Sequence, residues 1–232
     1  MRLNLYISSS GFCSRRQAER YITAEKVLVN GEIAPHVYFV EENDQVEVDG
    51  HKIKQPTQDI YIVLNKPSGV ICTASPTIVN NIIDFISFPE RIFPVGRLDK
   101  ETEGLILLTN DGSIVNELMK EENNHEKEYI VKVDKKITDT FITNLSNGVT
   151  IYNPRKKDFS RTNPCSVIQL DDYTFRMTLS QGLNRQIRRM CRHSQYTVTH
   201  LQRVRIKHIR LGSLGLGQWR YLTEDEIAGL KR

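Results

Sequence analysis

Among the 232 residues, the segment GRLDKETEGLILLTNDG, from Gly96 to Gly112, holds the side chain with the clearest chemical potential. Asp99 stands in a short polar turn just ahead of an unbroken apolar run, Leu105-Ile106-Leu107-Leu108. That run suits a buried strand and is too short for a typical helix, and Asn110-Asp111-Gly112 ends it with turn chemistry. A carboxylate at the mouth of a buried strand is poorly solvated but rigidly held, which suits an acid, base or nucleophile. The plainer alternative is an aspartate that only caps its turn, and these residues alone leave both open.

Two further segments carry groups that could act with it. On a helical wheel at ~100° per residue, Arg185, Arg188, Arg189 and Arg192 of the run Asn184–Arg192 fall within one arc, with Ile187, Met190 and Cys191 opposite. Four arginines on one face repel each other, so a ligand phosphate or a buried acid must compensate. In HEKEYIVKV, residues 125–133, strand alternation puts Lys127, Tyr129, Val131 and Val133 on one face. A tyrosine there either completes a core or stacks on a planar base. The four cysteines, Cys13, Cys72, Cys165 and Cys191, and the six histidines are dispersed, without zinc, dithiol or H-E-x-x-H spacing. A reduced protein that holds no metal is expected.

Charge is distributed unevenly. Residues 173–223 carry ten Lys/Arg and no Asp or Glu, leaving −6 for the rest of a chain whose net charge is +4. A one-sided cation field normally faces a polyanion, whereas solubilising surfaces mix both signs. Nucleic acid fits this better than a lipid surface, because no amphipathic apolar face accompanies the charge. No apolar run approaches the ~18 residues of a membrane span, and the N-terminus lacks the apolar core and cleavage site of a secretion signal.

The elements that must position these groups follow from pattern. Residues 1–50 form a small module. Leu3, Tyr6 and Ile7 share a helical face that Gly11 ends, and Ser14-Arg15-Arg16-Gln17 has the form of a capping box. The helix it starts buries Ala18, Tyr21 and Ile22 and leaves Arg15, Arg16 and Arg20 on its surface. Val27–Val29 and Val46–Val48 run into Asn30-Gly31 and Asp49-Gly50, both hairpin signals. Residues 51–58, with Pro56, suggest a linker. Residues 59–232 mix short strands with helices, which makes the class α+β.

Residue strings narrow the reading further. Ser14-Arg15-Arg16-Gln17-Ala18, Ile22 and Val27-Leu28-Val29-Asn30-Gly31 resemble the hallmark of the S4 RNA-binding domain, an α-L-like module. GRLD-x-x-T-x-GL-(I/L)-LLTNDG resembles the catalytic signature of the ribosomal-RNA pseudouridine synthases of the small-subunit synthase A family. HEKEY, ITDTFI, QGLNRQIRRMC and LGLGQWRYLT look most like members acting on the large ribosomal subunit. Arg192 and Gln195 depart from that pattern, standing where an acid and a glycine are expected. The resemblance implies a mixed, largely antiparallel sheet with flanking helices and a central cleft. It also implies an essential carboxylate at Asp99, a uracil pocket lined by Tyr129 and an Arg188 guanidinium paired with Asp99. Arg97 would fill the place of a flipped-out base, and Lys127, Arg185, Arg189 and Arg192 would join Arg15, Arg16 and Arg20 in binding RNA.

The implied reaction breaks the ribose–N1 bond of uridine, turns the base and rejoins it through C5. It needs no redox change and no group donor, so no cofactor is expected. The base must leave its stack to reach the carboxylate. The expected partner is ribosomal RNA, 23S above all, for a cytoplasmic monomer with no obligatory protein partner and no membrane. The rival is a non-catalytic S4-type RNA-binding protein acting in ribosome assembly, against which Asp99, Tyr129 and Arg188 all remain. DNA binding is disfavoured because no helix presents base-reading side chains.

Overall fold

The computed structural model describes residues 1–119, 125–153 and 157–230. The N-terminal module contains α1 (Leu3–Ser9), α2 (Arg15–Thr23), β1 (Val27–Val29), β2 (Glu32–Ile33), β3 (Val46–Val48) and β4 (His51–Lys52). Ser14 caps α2 by accepting a hydrogen bond from the Gln17 amide at 3.2 Å. Asn30-Gly31 and Asp49-Gly50 all take positive φ, the form that two-residue hairpins demand. The strands order β2-β1-β3-β4, and Leu3, Ile7, Ala18, Ile22, Val27 and Val48 close a core beneath the helices. This module runs past residue 50. The Asp49-Gly50 turn folds His51 and Lys52 back on β3, and Ile53 joins the core. The polar pair His51-Lys52 hides that strand from a hydrophobicity argument.

The larger part contains β5 (Tyr61–Lys66), α3 (Ile82–Ile86), β6 (Phe93–Val95), β7 (Glu103–Thr109), α4 (Ser113–Met119), β8 (Lys127–Val133) and α5 (Asp139–Ser146). There follow β9 (Thr150–Asn153), β10 (Asp158–Arg161), β11 (Ser166–Gln169), β12 (Thr174–Leu179) and α6 (Gln186–His193). The chain continues through β13 (Val198–Ile206), β14 (Ile209–Arg210), β15 (Trp219–Tyr221) and α7 (Glu224–Leu230). One nine-stranded sheet runs β11-β12-β8-β13-β7-β5-β15, with β14 on β13 and β6 on β7, while β9 and β10 form a separate ribbon.

The sheet consists of two antiparallel halves joined where β7 meets β13 in parallel. That junction spans two residue pairs, Glu103 with Gln202 and Gly104 with Arg203. Gly104 permits the approach. Its φ is +102°, and a Cβ there would lie 2.2 Å from the Arg203 carbonyl oxygen.

Alternation along β5 and β7 divides the core around this junction. Tyr61, Val63, Leu105 and Leu107 face α4 and α7, whereas Ile62, Leu64, Ile106 and Leu108 face α3 and Leu98. A third cluster packs Val131, Phe175 and Met177 against Phe141 of α5 and Ile187 and Met190 of α6. Each fully buried aliphatic or aromatic side chain contributes roughly 1.5–3 kcal/mol. The two halves are therefore firmly packed, and they leave a cleft at their junction.

Candidate active site

Asp99 lies at the top of that junction, between two anchored neighbours. Leu98 is buried, and its amide donates to Cys72 Sγ at 3.4 Å. The Lys100 carbonyl accepts from the Gly69 amide at 2.8 Å and from Lys66 Nζ at 3.3 Å. The Thr102 amide donates to the Asp99 carbonyl at 3.0 Å, closing the turn. Lys66 is fully buried and spends its other ammonium protons on the carbonyls of Pro67 and Val70, at 2.8 and 2.9 Å. Burial lowers its pKa, offset in part by nearby acidic groups including Asp99. A lysine with three carbonyl acceptors ties the 67–70 loop to the Asp99 turn and fixes where the carboxylate sits.

Helix α6 reaches the same turn. Arg185 precedes the helix at φ 51°, off the helical wheel on which its sequence places it, and pairs with the Glu101 carboxylate at 2.8 Å. That hydrogen bond holds the Glu101 carboxyl below its ordinary range. Arg188 donates to the Glu101 carbonyl at 3.2 Å and the Val198 carbonyl at 3.3 Å, and its Nε is buried without a partner. Among the described residues, no ion pair joins Arg188 to Asp99. The direct pairing implied by the sequence resemblance is replaced by a grip on the backbone beside Asp99. Burial and Arg185 lower the Arg188 pKa, while the charges of Glu101 and Asp99 oppose them.

A cavity of about 360 Å³ opens at this point, and Arg97, Asp99, Lys127, Tyr129, Arg185 and Arg188 all line it. Tyr129 is half-buried on β8, packed between two of the core clusters. Arg97 is exposed and has no ion pair among the described residues, since Glu101 takes Arg185 and Glu103 takes His200. Arg189 and Arg192 lie outside the cavity. Arg189 is tied to the Tyr152 carbonyl at 2.6 Å and to Asn184 at 2.8 Å, whereas Arg192 is exposed with no ion pair among the described residues. Arg15, Arg16 and Arg20 form an exposed basic face on α2 in the N-terminal module, well separated in sequence from the rest. A larger cavity, about 670 Å³, opens beside Ser10, Asp59, Phe88, Glu90, Arg91 and Tyr221. Its lining mixes acids and a cation with apolar side chains, and none of Asp99, Tyr129 and Arg188 reaches it.

Three residues of the site escape a sequence argument. Lys66 spends its ammonium on backbone carbonyls and Glu101 offers its own carbonyl to Arg188, contacts that leave no side-chain pattern to read. Arg203 is only 4% exposed and lines the same cavity. The Leu201-x-Arg203 alternation on one face of β13 could have revealed it, because Leu201 is a core residue. Gln195 stands at φ 63° just past α6, which is why a glycine is expected there.

A carboxylate on a turn beside a buried strand, a half-buried tyrosine and convergent arginines in a sheet cleft, behind a small module with a basic helix face, suit an enzyme that modifies RNA. Residues 60–193 match the RNA pseudouridylate synthase family and residues 1–46 match the S4 domain. The chain belongs to the RNA pseudouridine synthase family and carries an RNA-binding S4 domain ahead of its catalytic part. It is similar to dual-specificity RNA pseudouridine synthase RluF of Escherichia coli strain K12, at 46% identity over 232 residues covering 99% of this chain and 78% of that protein. Ribosomal large subunit pseudouridine synthase B of Bacillus subtilis strain 168 is 34% identical over 240 residues, covering 99% and 95%. A solved structure described as a pseudouridylate synthase superposes with a TM-score of 0.71 at 28% identity and 99% coverage of both chains. No helix among the described residues is long and apolar enough to cross a membrane.

Proposed function

We propose that this synthase isomerises a specific uridine of ribosomal RNA, in the 23S RNA of the large subunit, with Asp99 as its carboxylate. The observation that carries this reading is the convergence of Asp99, Tyr129 and Arg188, from three separate segments, on one cavity. The extruded base stacks on Tyr129 while Asp99 faces the sugar. Arg188 steadies the Asp99 turn through the Glu101 carbonyl, and its spare Nε is available to the carboxylate when RNA closes the cleft. Arg97 enters the stack in place of the departed base. Arg15, Arg16 and Arg20 grip phosphates from the S4 module, and Lys127, Arg185, Arg189 and Arg192 do so at the cleft, contacts that position the RNA without reading its sequence. The large-subunit assignment is supported by the similarity to the Bacillus subtilis protein, and RNA as the substrate by the basic field of residues 173–223. The enzyme works as a cytoplasmic monomer without cofactor.

Incubation with bulk ribosomal RNA followed by mapping of new pseudouridines tests the reading. One new site in 23S RNA is expected, and none with Asp99→Asn, which should still bind RNA within about threefold because the affinity rests on distant cations. New sites confined to 16S RNA, or turnover by Asp99→Asn within about tenfold of the parent, would overturn it.

A further inference from the structure

Arg203 is a cation that the roles described so far leave unused. Its Nε donates to the Leu105 carbonyl at 2.8 Å, while Nη2 is buried and bonded to nothing. Among the described residues it has no ion pair, although it is 96% removed from solvent by its 4% exposure. Keeping a guanidinium charge in such a place is strongly unfavourable unless a partner answers it. The geometry points the same way. Arg203 lies directly opposite Tyr129 across β8 and β13, and the register slips between Arg203 and Arg205, a bulge that re-aims the strand at this point. On its other side it abuts Gly104, so its backbone cannot retreat. Thr102 Oγ1, also buried without a partner, lines the same cavity.

We infer that Arg203 stabilises the uracil anion released when the glycosidic bond opens. The inference rests on the reading that this cavity holds the uridine and that Tyr129 stacks on its base. Breaking the C1′–N1 bond leaves its electron pair on the uracil, spread over N1, O2 and O4, and leaves C1′ electron-deficient against the Asp99 carboxylate. Arg203 keeps its proton throughout and donates a hydrogen bond from Nη2 to a ring carbonyl oxygen. When C5 bonds to C1′ the pair returns to the new bond, and the proton lost from C5 is matched by one gained at N1 from solvent. The product is an isomer of the substrate, with no oxidant or donor consumed. A preorganised charge in a dry site acts most strongly where negative charge develops, and Arg203 is built as such a group. Arg188, in contrast, serves the sugar side through the Asp99 turn.

The test compares uridine with 5-fluorouridine at the target position, because fluorine makes the detached base a better leaving group. Arg203→Met retains the stem length without the charge. On uridine RNA under single-turnover conditions it should lose about a hundredfold in rate, with the apparent RNA affinity within about threefold. On 5-fluorouridine RNA the loss of glycosidic cleavage should be at least about tenfold smaller. A merely structural arginine would lower both rates equally, and an equal loss on the two substrates, no loss, or a loss in affinity alone overturns the inference. Should Arg203→Met fail to fold, Arg203→Lys carries the same comparison, with a smaller loss but the same dependence on leaving group. Asp99→Asn run in parallel separates the two readings. If it stays active, the site itself is misassigned. If it is inactive while the Arg203 variants ignore the leaving group, only the role of Arg203 falls.

Discussion

Replacing Gly104 by alanine should be strongly damaging for a one-carbon change. The added Cβ would sit 2.2 Å from the Arg203 carbonyl oxygen, 2.7 Å from its nitrogen and 3.0 Å from its carbonyl carbon. Ordinary contact would require β7 and β13 to part by more than about an ångström, and both atoms it meets first are backbone, which cannot rotate away. The φ of +102° adds strain for any side chain, about 1–2 kcal/mol by analogy with other left-handed positions. Overpacking adds about 1–3 kcal/mol. A total loss of roughly 2–5 kcal/mol follows, a large share of a typical domain's 5–15 kcal/mol. Urea unfolding of Gly104→Ala against Gly112→Ala measures it, since a Cβ at Gly112 meets nothing within 4 Å. The Gly112 variant should stay within about 1 kcal/mol of the parent. Because Asp99 and Arg203 lie on opposite sides of the junction, the folded fraction of Gly104→Ala should also turn over more slowly. A loss below about 1 kcal/mol, or one equal to that of Gly112→Ala, would refute the close-approach argument.

Arg188→Ala should chiefly lower turnover, whereas Arg192→Ala should weaken RNA binding and reduce the slope of log affinity against log salt by about one unit; equal effects on binding from both would deny the division. Glu226 reciprocates a capping box with Thr223 and pairs with Arg220 at 2.7 Å, which holds its carboxyl below the ordinary 4.5. Its contribution is therefore present above that ordinary value and fades as pH falls through the lowered one, so Glu226→Gln should be less stable than the parent near neutrality by roughly 1 kcal/mol and converge with it in acid; parallel melting curves from neutral pH to about pH 3 would contradict this. Gln195→Gly, which relieves a φ of 63° after α6, should raise stability by about 0.5–1 kcal/mol in the same unfolding assay, and a loss would mean that the Gln195 side chain has a role of its own.

Much of the scaffold was legible because apolar runs and turn residues speak for themselves. Leu105–Leu108 and Ile60–Leu64 announced the strands flanking the site, and Asn30-Gly31 and Ser14 fixed a hairpin and a helix start. What stayed hidden was carried by polar or backbone groups. His51-Lys52 pairs on a sheet edge without an apolar residue. Arg188 grips two carbonyls where the family resemblance implied a pairing with Asp99, and Arg185 leaves the helical wheel for a left-handed turn. Arg203 was one of ten cations in a basic stretch, and only its alternation with Leu201 set it apart from the exposed ones.

That contact also governs when the site can come into being. Parallel neighbours cannot be joined by a tight turn, so the chain leaves β7 after Thr109 and returns in β13 only at Val198, building the whole second half-sheet in between. A nascent chain that has just emerged through Gly112 holds the signature but no cavity. The contact between Arg188 and the Asp99 turn closes a loop of 87 residues, and such non-local pairings form slowly. The cavity is therefore complete only once β13 docks, and a chain halted before Val198 holds strands of both half-sheets without the strand that joins them.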